Sequence, residues 1–243
     1  MENKFLKFGN KVFERLPVFI QCKIQQIIFG GKIDCGEGSF IHSSCHLIGR
    51  SNISIGSNSC LSEGCWLNVN HRNHNVYSII VGNNCFIGKN NFITSGAEIM
   101  ICDYTLTALG CKLIGSSHAI NDPLIPYMVA GATNGQKIRI GVNCFIGSGS
   151  SVIGNVKIGH GSVIGAESVV LKDVPPFSLV IGNPAKIIKR YSFNKGLWVS
   201  IDKFSFEDNL KLLSEDKYLS MIRLKHPKIR IPFIAAGKSM GDL

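Results

Sequence analysis

The chain reads as a mainly β protein: a parallel β-helix of about six coils, with a short helical segment before it and a helical appendage after it. Three observations predict this. Between Ile140 and Pro175 an aliphatic residue returns every six positions, at Ile140, Ile146, Val152, Ile158, Ile164 and Val170. Glycine follows directly at Gly141, Gly147, Gly159 and Gly165. A period of six matches neither a helix nor an alternating strand; it is the pulse of a solenoid in which each hexad supplies one flat face and turns a corner. Second, the same register continues upstream in triplets and slips only between complete triplets. Third, a small or medium side chain stands two residues before the aliphatic position at Cys45, Cys65, Cys85, Cys111, Cys144 and Val156.

Taken in order, residues 1–32 interleave Lys4 and Lys7 with Phe5, Leu6 and Phe8 and are broken near Pro17, which predicts one or two short amphipathic helices. Their expected role is a cap on the first coil, with a basic amphipathic contact at a membrane surface as the competing one. The segment is too polar for a secretory signal and has no small-residue cleavage site. The coils follow as 35–52, 55–72, 81–98, 101–118, 140–157 and 158–175, within a domain spanning 33–189. The breaks place a short loop at 73–80 and a long loop at 119–139, both at corners. After Lys189 the character changes. Ser205 to Asp208 and Ser214-Glu215-Asp216 are helix starts, and His226-Pro227 is a stop. Residues 190–243 are therefore expected as a mostly helical appendage that covers the last coil or bridges to a neighbouring subunit, because a bare solenoid end exposes strand edges.

The 243 residues carry 26 Lys and Arg against 16 Asp and Glu, a formal charge of +10. Nucleic acid is the reflex partner for such a balance, yet no recognition motif and no interleaving of lysines with aromatics on one surface supports it. Polyanionic small molecules or acidic glycans fit the charge as well. No uncharged apolar run is long enough for a membrane span. The nine cysteines form no C-x-x-C pair; they are expected as small hydrophobes stacked inside the coils, in a reducing cytoplasm and without a metal.

The chemistry is expected where the pulse stops. His118 ends its triplet at the corner where the long loop leaves, and a loop on a rigid scaffold is the usual seat of catalysis. From Ile101 onward the chain resembles a known family. The loop Ile114-Gly-Ser-Ser-His118, the run Ile140-Gly-Val-Asn-Cys-Phe-Ile-Gly-Ser148, the stretch Gly165-Ala-Glu-Ser-Val-Val-Leu-Lys-Asp-Val-Pro-Pro176 and Gly182-Asn-Pro-Ala-Lys186 are similar to the hexapeptide-repeat acetyltransferases, in particular the maltose/galactoside and polysaccharide O-acetyltransferase branch. The resemblance covers about residues 33–190. It implies a left-handed β-helix, a homotrimer, and acetyl-CoA held between subunits.

By that resemblance His118 is the catalytic base and the backbone amide of Ser148 holds the oxyanion. An imidazole ordinarily titrates near neutrality and can take the proton of a sugar hydroxyl as it attacks a thioester. Phe145, Gly147, Ser148 and Ala166 are expected along the pantetheine arm, with Lys172, Lys186 and Lys189 near the phosphates. Asn91 and Asp122 are expected at the substrate, Asp122 with the further option of orienting His118. Phe145 stands where many relatives carry tryptophan, and Cys102 replaces the usual glycine of its hexad, suggesting an altered corner. His71 and His74 flank the short loop without Cys, Asp or Glu partners, so a surface or acceptor role is expected rather than a metal site. His160 is expected to be structural.

The function these residues predict is acetyl-CoA-dependent O-acetylation of a sugar hydroxyl on a capsular or O-antigen polysaccharide or its precursor. N-acetylation of a nucleotide-linked amino sugar is the alternative. A zinc hydratase on the same scaffold would need a second histidine soon after His118, and Asn121-Asp122-Pro123 offers none. A purely binding solenoid remains the non-enzymatic reading. The expected location is the cytoplasm, with the inner face of the membrane as an option.

Overall fold

A computed structural model describes residues 33–72, 76–133 and 135–226, together with Ile20 and Ile229. The hexads become three parallel ladders, each six coils long. On the first face Cys35, Ile55, Val81, Ile101, Ile140 and Ile158 lie in register. On the second face Ile41, Leu61, Ile87, Thr107, Ile146 and Ile164 do the same. The third face aligns Leu47, Leu67, Ile93, Leu113, Val152 and Val170. These columns point inward and are almost all buried, forming one continuous core. Each fully buried Ile or Leu contributes about 1.5–3 kcal/mol, so stacking aliphatics on aliphatics is what holds strands of only two to four residues in the coils.

The corner columns are hydrogen-bond donors as well as small residues. Cys65 Sγ donates to the carbonyl of Gly88 (3.0 Å), Cys85 Sγ to Cys102 (3.2 Å), Cys111 Sγ to Gly147 (3.3 Å) and Cys144 Sγ to Gly159 (3.2 Å). Ser59, Thr105 and Ser150 repeat the same bond to Gly82, Gly141 and Gly165. Each side chain thus serves a carbonyl of the next coil that the turn would leave unpaired. Burial pushes the thiols of Cys85 and Cys144 up to about 12 and those of Cys102 and Cys111 up to about 11, so these groups stay protonated.

Asn91 occupies this column too. It is 1% exposed, and its Nδ2 donates to the carbonyls of Gly88 and Ala108. The expectation that Asn91 touches substrate is therefore corrected: it is a corner residue inside the coil. One residue earlier, Asn90 takes a left-handed φ of 56°, and Asn58 and Asn143 at the corner between the first and second faces take 53° and 51°; asparagine tolerates a conformation that costs most side chains about 1–2 kcal/mol.

Two boundaries differ from the sequence reading. The insertions lie between Val69 and Ile79 and between Ile114 and Lys137, rather than at 73–80 and 119–139. The aliphatic residue used to mark phase closes each first-face strand instead of opening it, and Ile53, Ile79, Ile99, Ile138 and Val156 two residues earlier are buried as well. The other difference is the appendage, which begins as β-structure. Ser178–Gly182 adds a parallel rung to the second face, and Ala185–Ser192 and Leu197–Ser200 continue it antiparallel. The boundary at Lys189 cuts through a strand because the edge of the last coil is covered by a hairpin, which satisfies its free N–H and C=O groups.

The helices follow later. Phe206–Leu210 starts on a Ser205/Asp208 capping box and Glu215–Lys225 on Ser214. The second helix lies along the corner between the first and second faces rather than over the open end. Glu215 pairs with Arg139 (2.8 Å) and accepts from Val142 N (3.0 Å), Asn143 donates to Tyr218, and Arg223 pairs with Asp103 (3.0 Å). His160 bonds the carbonyl of Leu213 and packs against Phe177 and Tyr218, a structural role. Among the described residues no helix is long and apolar enough to cross a membrane. The N-terminal segment 1–32, with its cap and membrane-contact roles, lies outside the described residues apart from Ile20.

Candidate active site

His118 is exposed, four residues past the strand Lys112–Ile114, where the chain leaves the corner between the third and first faces. The root of the loop is clasped. Thr133 N donates to the carbonyl of Ser117 (2.6 Å), Ser117 N donates to Thr133 Oγ1 (3.1 Å), and Thr133 Oγ1 donates back to the Ser117 carbonyl (3.0 Å). Ser116 Oγ adds a bond to the Thr133 carbonyl, and His118 itself bridges Ala132. An imidazole is thereby presented to solvent on backbone that cannot swing freely, which is what a positioned proton acceptor requires. No motif in the sequence announces the Ser117–Thr133 clasp: its two halves are 16 residues apart and belong to no repeat. Asp122 Oδ1 accepts from Leu124 N (2.9 Å), so this carboxylate caps its own turn within the loop.

The CoA-contact candidates gather elsewhere. Ser148 and Ala166 are both exposed and stack on successive coils at the corner between the second and third faces, where Glu167 N donates to the Ser148 carbonyl (2.8 Å). Gly147 beneath them is obligatory: a Cβ there would stand 2.6 Å from Ala166 N. Phe145, 40% exposed, points outward from the second face. Its neighbours on the same outward stripe are Leu106 on one side and Val163, then Leu179 and Lys189, on the other. Lys186 pairs with the exposed Ile181 on that surface. An apolar lane thus ends in two exposed lysines; three rungs of roughly 4.8 Å put Lys189 about 14 Å from Phe145. Apolar walls with cations at the far end suit a thioester arm that terminates in phosphates.

The structure does not bring all the candidates together. His118, Asp122 and Lys172 lie at one end of the third face, and Ser148, Ala166 and the lane at the other. Within one chain His118 and Ser148 are separated by the width of that face. The long loop is also unusually apolar for an exposed segment: Ile120, Leu124, Tyr127, Met128 and Val129 are between 51% and 90% exposed. Among the described residues no cluster of three or more His, Cys, Asp or Glu could hold a metal. His74 lies outside the described residues.

Comparisons with known proteins agree with this architecture. The bacterial transferase hexapeptide (six repeats) model matches residues 137–172, and the hexapeptide repeat of succinyl-transferase matches 78–99. A "Probable acetyltransferase" of Mycobacterium tuberculosis is 29% identical over 166 residues, covering 67% of this chain and 51% of that protein. A "Putative acetyltransferase" of Staphylococcus aureus is 34% identical over 114 residues, covering 47% of this chain and 56% of its own. The chain thus spans about half the length of the curated relatives it matches. Among solved structures, the Bacillus cereus N-acyltransferase AntD, crystallised with dTDP and coenzyme A, superposes with a TM-score of 0.58 at 21% identity, over 68% of this chain and 89% of AntD. That likeness is one of fold. Together the matches support the hexapeptide-repeat acetyltransferase family.

Proposed function

We propose that the protein is an acetyl-CoA-dependent O-acetyltransferase of the maltose/galactoside and polysaccharide branch, acting on a sugar hydroxyl of a glycan from a site shared between copies of the chain. The observation that carries the reading is the clasped loop root, which holds an exposed imidazole at a coil corner while the apolar lane for the donor lies at the opposite corner. A second copy, set so that the loop of one chain meets the lane of the next, unites them. In a homotrimer each of three identical contacts does so, and the apolar tip of the loop is covered by the neighbour.

In the assembled site the pantetheine arm lies along Phe145, Val163 and Leu179, with Lys186 and Lys189 as point charges for phosphate and Lys172 contributed from the loop side. His118 of one copy takes the proton of the acceptor hydroxyl as its oxygen attacks the thioester carbonyl. The Ser148 N–H of the other copy donates to the oxyanion, a donor that needs no reorganisation at the moment of reaction. Collapse expels the CoA sulfur, which takes the proton from the imidazolium, leaving an acetyl ester and free CoA.

The test is free CoA release with glycan acceptors and, in parallel, a nucleotide-linked amino sugar, with the acetyl group located by NMR. His118→Ala is expected to lower turnover about 10²–10⁴-fold. Unchanged turnover in that variant would remove the imidazole from the mechanism, and acetyl found on nitrogen would move the protein to the N-acetylating alternative.

A further inference from the structure

The outward side of the third face carries a lysine that the acetyl-transfer chemistry does not use. The first outward column of this face reads His46, Trp66, Phe92, Lys112, Ser151 and Val169 from coil one to coil six. The second, running from Ile48 to Ile153, contains no ionisable side chain. Lys112 is exposed, and among the described residues no carboxylate pairs with it. In the proposed homotrimer, the corner between the third and first faces of one copy meets the corner between the second and third faces of the next. Those two corners bound the third face. In a closed ring it therefore lies between a copy's two contacts and turns toward the symmetry axis. Three copies of Lys112 converge there, with three copies of Ser151 one coil further on. On one side of this level Phe92 meets Trp66 edge-to-face and Trp66 tilts against His46, and on the other stands Val169.

We propose that three copies of Lys112 and Ser151 hold a tetrahedral oxyanion, sulfate or inorganic phosphate, on the threefold axis of the assembly. The inference rests on the proposed homotrimer and adds to it a ligand outside the acetyl-transfer site. Three ammonium groups drawn together away from water repel one another, and burying them without a counter-charge is costly. No carboxylate on this face supplies that charge, and each neighbour presents the same two columns. A tetrahedral oxyanion supplies it with matching symmetry: three of its oxygens face three equivalent cations and the fourth lies on the axis. Lysine suits the task, because its flexible four-carbon stem carries three donors from the face toward the axis. Ser151 stands in register with Lys112 at a spacing of roughly 4.8 Å and adds three hydroxyl donors. The aromatic layer at Phe92 and the aliphatic one at Val169 close the site from both sides, and excluding water strengthens every charge interaction inside it. In a chain with a formal charge of +10, a bound anion also lowers the self-repulsion of the assembled ring.

The test reads the assembly and the anion separately. Sedimentation gives the mass of the full chain in solution. Thermal melting is then followed in millimolar sulfate or phosphate, with sodium chloride holding the ionic strength constant. The wild type is expected to sediment as a trimer whose melting temperature rises saturably by about 1–3 °C with either oxyanion. Lys112→Met removes the charge and keeps the stem. It should remain trimeric, melt above the wild type in chloride alone, and lose the response to sulfate and phosphate. Lys112→Gln should behave in the same way. Replacing Lys186 and Lys189 together by alanine removes the proposed phosphate contacts of the donor lane and should leave the response intact. In wild-type crystals soaked with selenate, the anomalous peak should lie on the threefold axis at the level of Lys112. The proposal is overturned if the trimer responds to the oxyanions equally with and without Lys112, or if the axis of the soaked crystals holds no peak. Either result leaves the shared acetyl-transfer site standing, whereas a monomeric mass overturns both.

Discussion

If the base and the donor lane belong to different copies, two inactive variants should rescue one another. Consider His118→Ala, which removes the imidazole, and Ala166→Trp, which fills the corner beside Ser148 where the donor passes. Ala166 is exposed, so the added indole projects into the lane rather than into the coil. Each variant alone is expected to be inactive. The separation that motivates the test is geometric: six residues of chain between Ser148 and the far corner at Gly154 span about 15–20 Å, too far for one hydroxyl to bridge. When the two chains are mixed equally and allowed to exchange, a site works only if its loop comes from an Ala166→Trp chain and its lane from a His118→Ala chain. Half the loops and half the lanes are intact, so about one quarter of wild-type activity should return in the unselected mixture, and about one third in mixed trimers isolated by both tags, where one junction of the three is competent. The assay is free CoA release on oligomers carrying both of two affinity tags. Background activity in such isolated mixed oligomers would refute the shared site, because a site held within one chain cannot be complemented.

The other expectations concern parts that support the site. Thr133→Val removes the hydroxyl that both accepts from Ser117 N and donates to its carbonyl, so kcat should fall about tenfold or more while the Kd for acetyl-CoA, measured by calorimetry, stays unchanged. Replacing Lys186 and Lys189 together by alanine should raise KM for acetyl-CoA several-fold and flatten its dependence on ionic strength, with kcat little altered. Asp208 is held well below the usual carboxylate range by the Ser192 hydroxyl and the Ser205 N–H. Its stabilisation is therefore complete above the ordinary carboxylate pKa of about 4 and is lost as pH falls below it. The melting temperature of the wild type should drop more steeply than that of Asp208→Asn in that acid range, and parallel slopes would contradict the assignment. Gly141→Ala would set a Cβ 2.5 Å from His160 N, and this overpacking should cost about 1–3 kcal/mol in urea unfolding.

The coils were legible because their physics is local and repeated. One inward aliphatic per hexad is a constraint on every coil, so Ile140, Ile146 and Val152 announce a register that Ile101, Thr107 and Leu113 share across a long insertion. The corners were half legible. Cys65, Asn91, Cys111 and Ser150 look chemically unrelated, and only the structure shows that each donates to a carbonyl one coil on. The resemblance alone assigned Asn91 to substrate, because nothing in the sequence marks it as a corner donor. The hairpin at Ala185–Ser192 was hidden for a different reason: its partners are the edge of the last coil, and an edge leaves no period in the chain that covers it.

The site is least legible because, on the proposed function, it is not a property of one chain. His118 and Ser148 can each be picked from the sequence, since an exposed histidine at a broken register and a small residue after Ile-Gly are visible features. Their relation cannot be picked out, because it depends on which corner each hexad reaches and on how copies meet. Counting corners shows why the insertion must sit where it does. A loop leaving the corner between the third and first faces is free to reach outward, whereas at the corner of Ser148 it would cover the donor's own lane. On the proposed function the repeat thus reserves one corner for the donor and leaves the next for the base, and a coil with both on a single corner would obstruct itself.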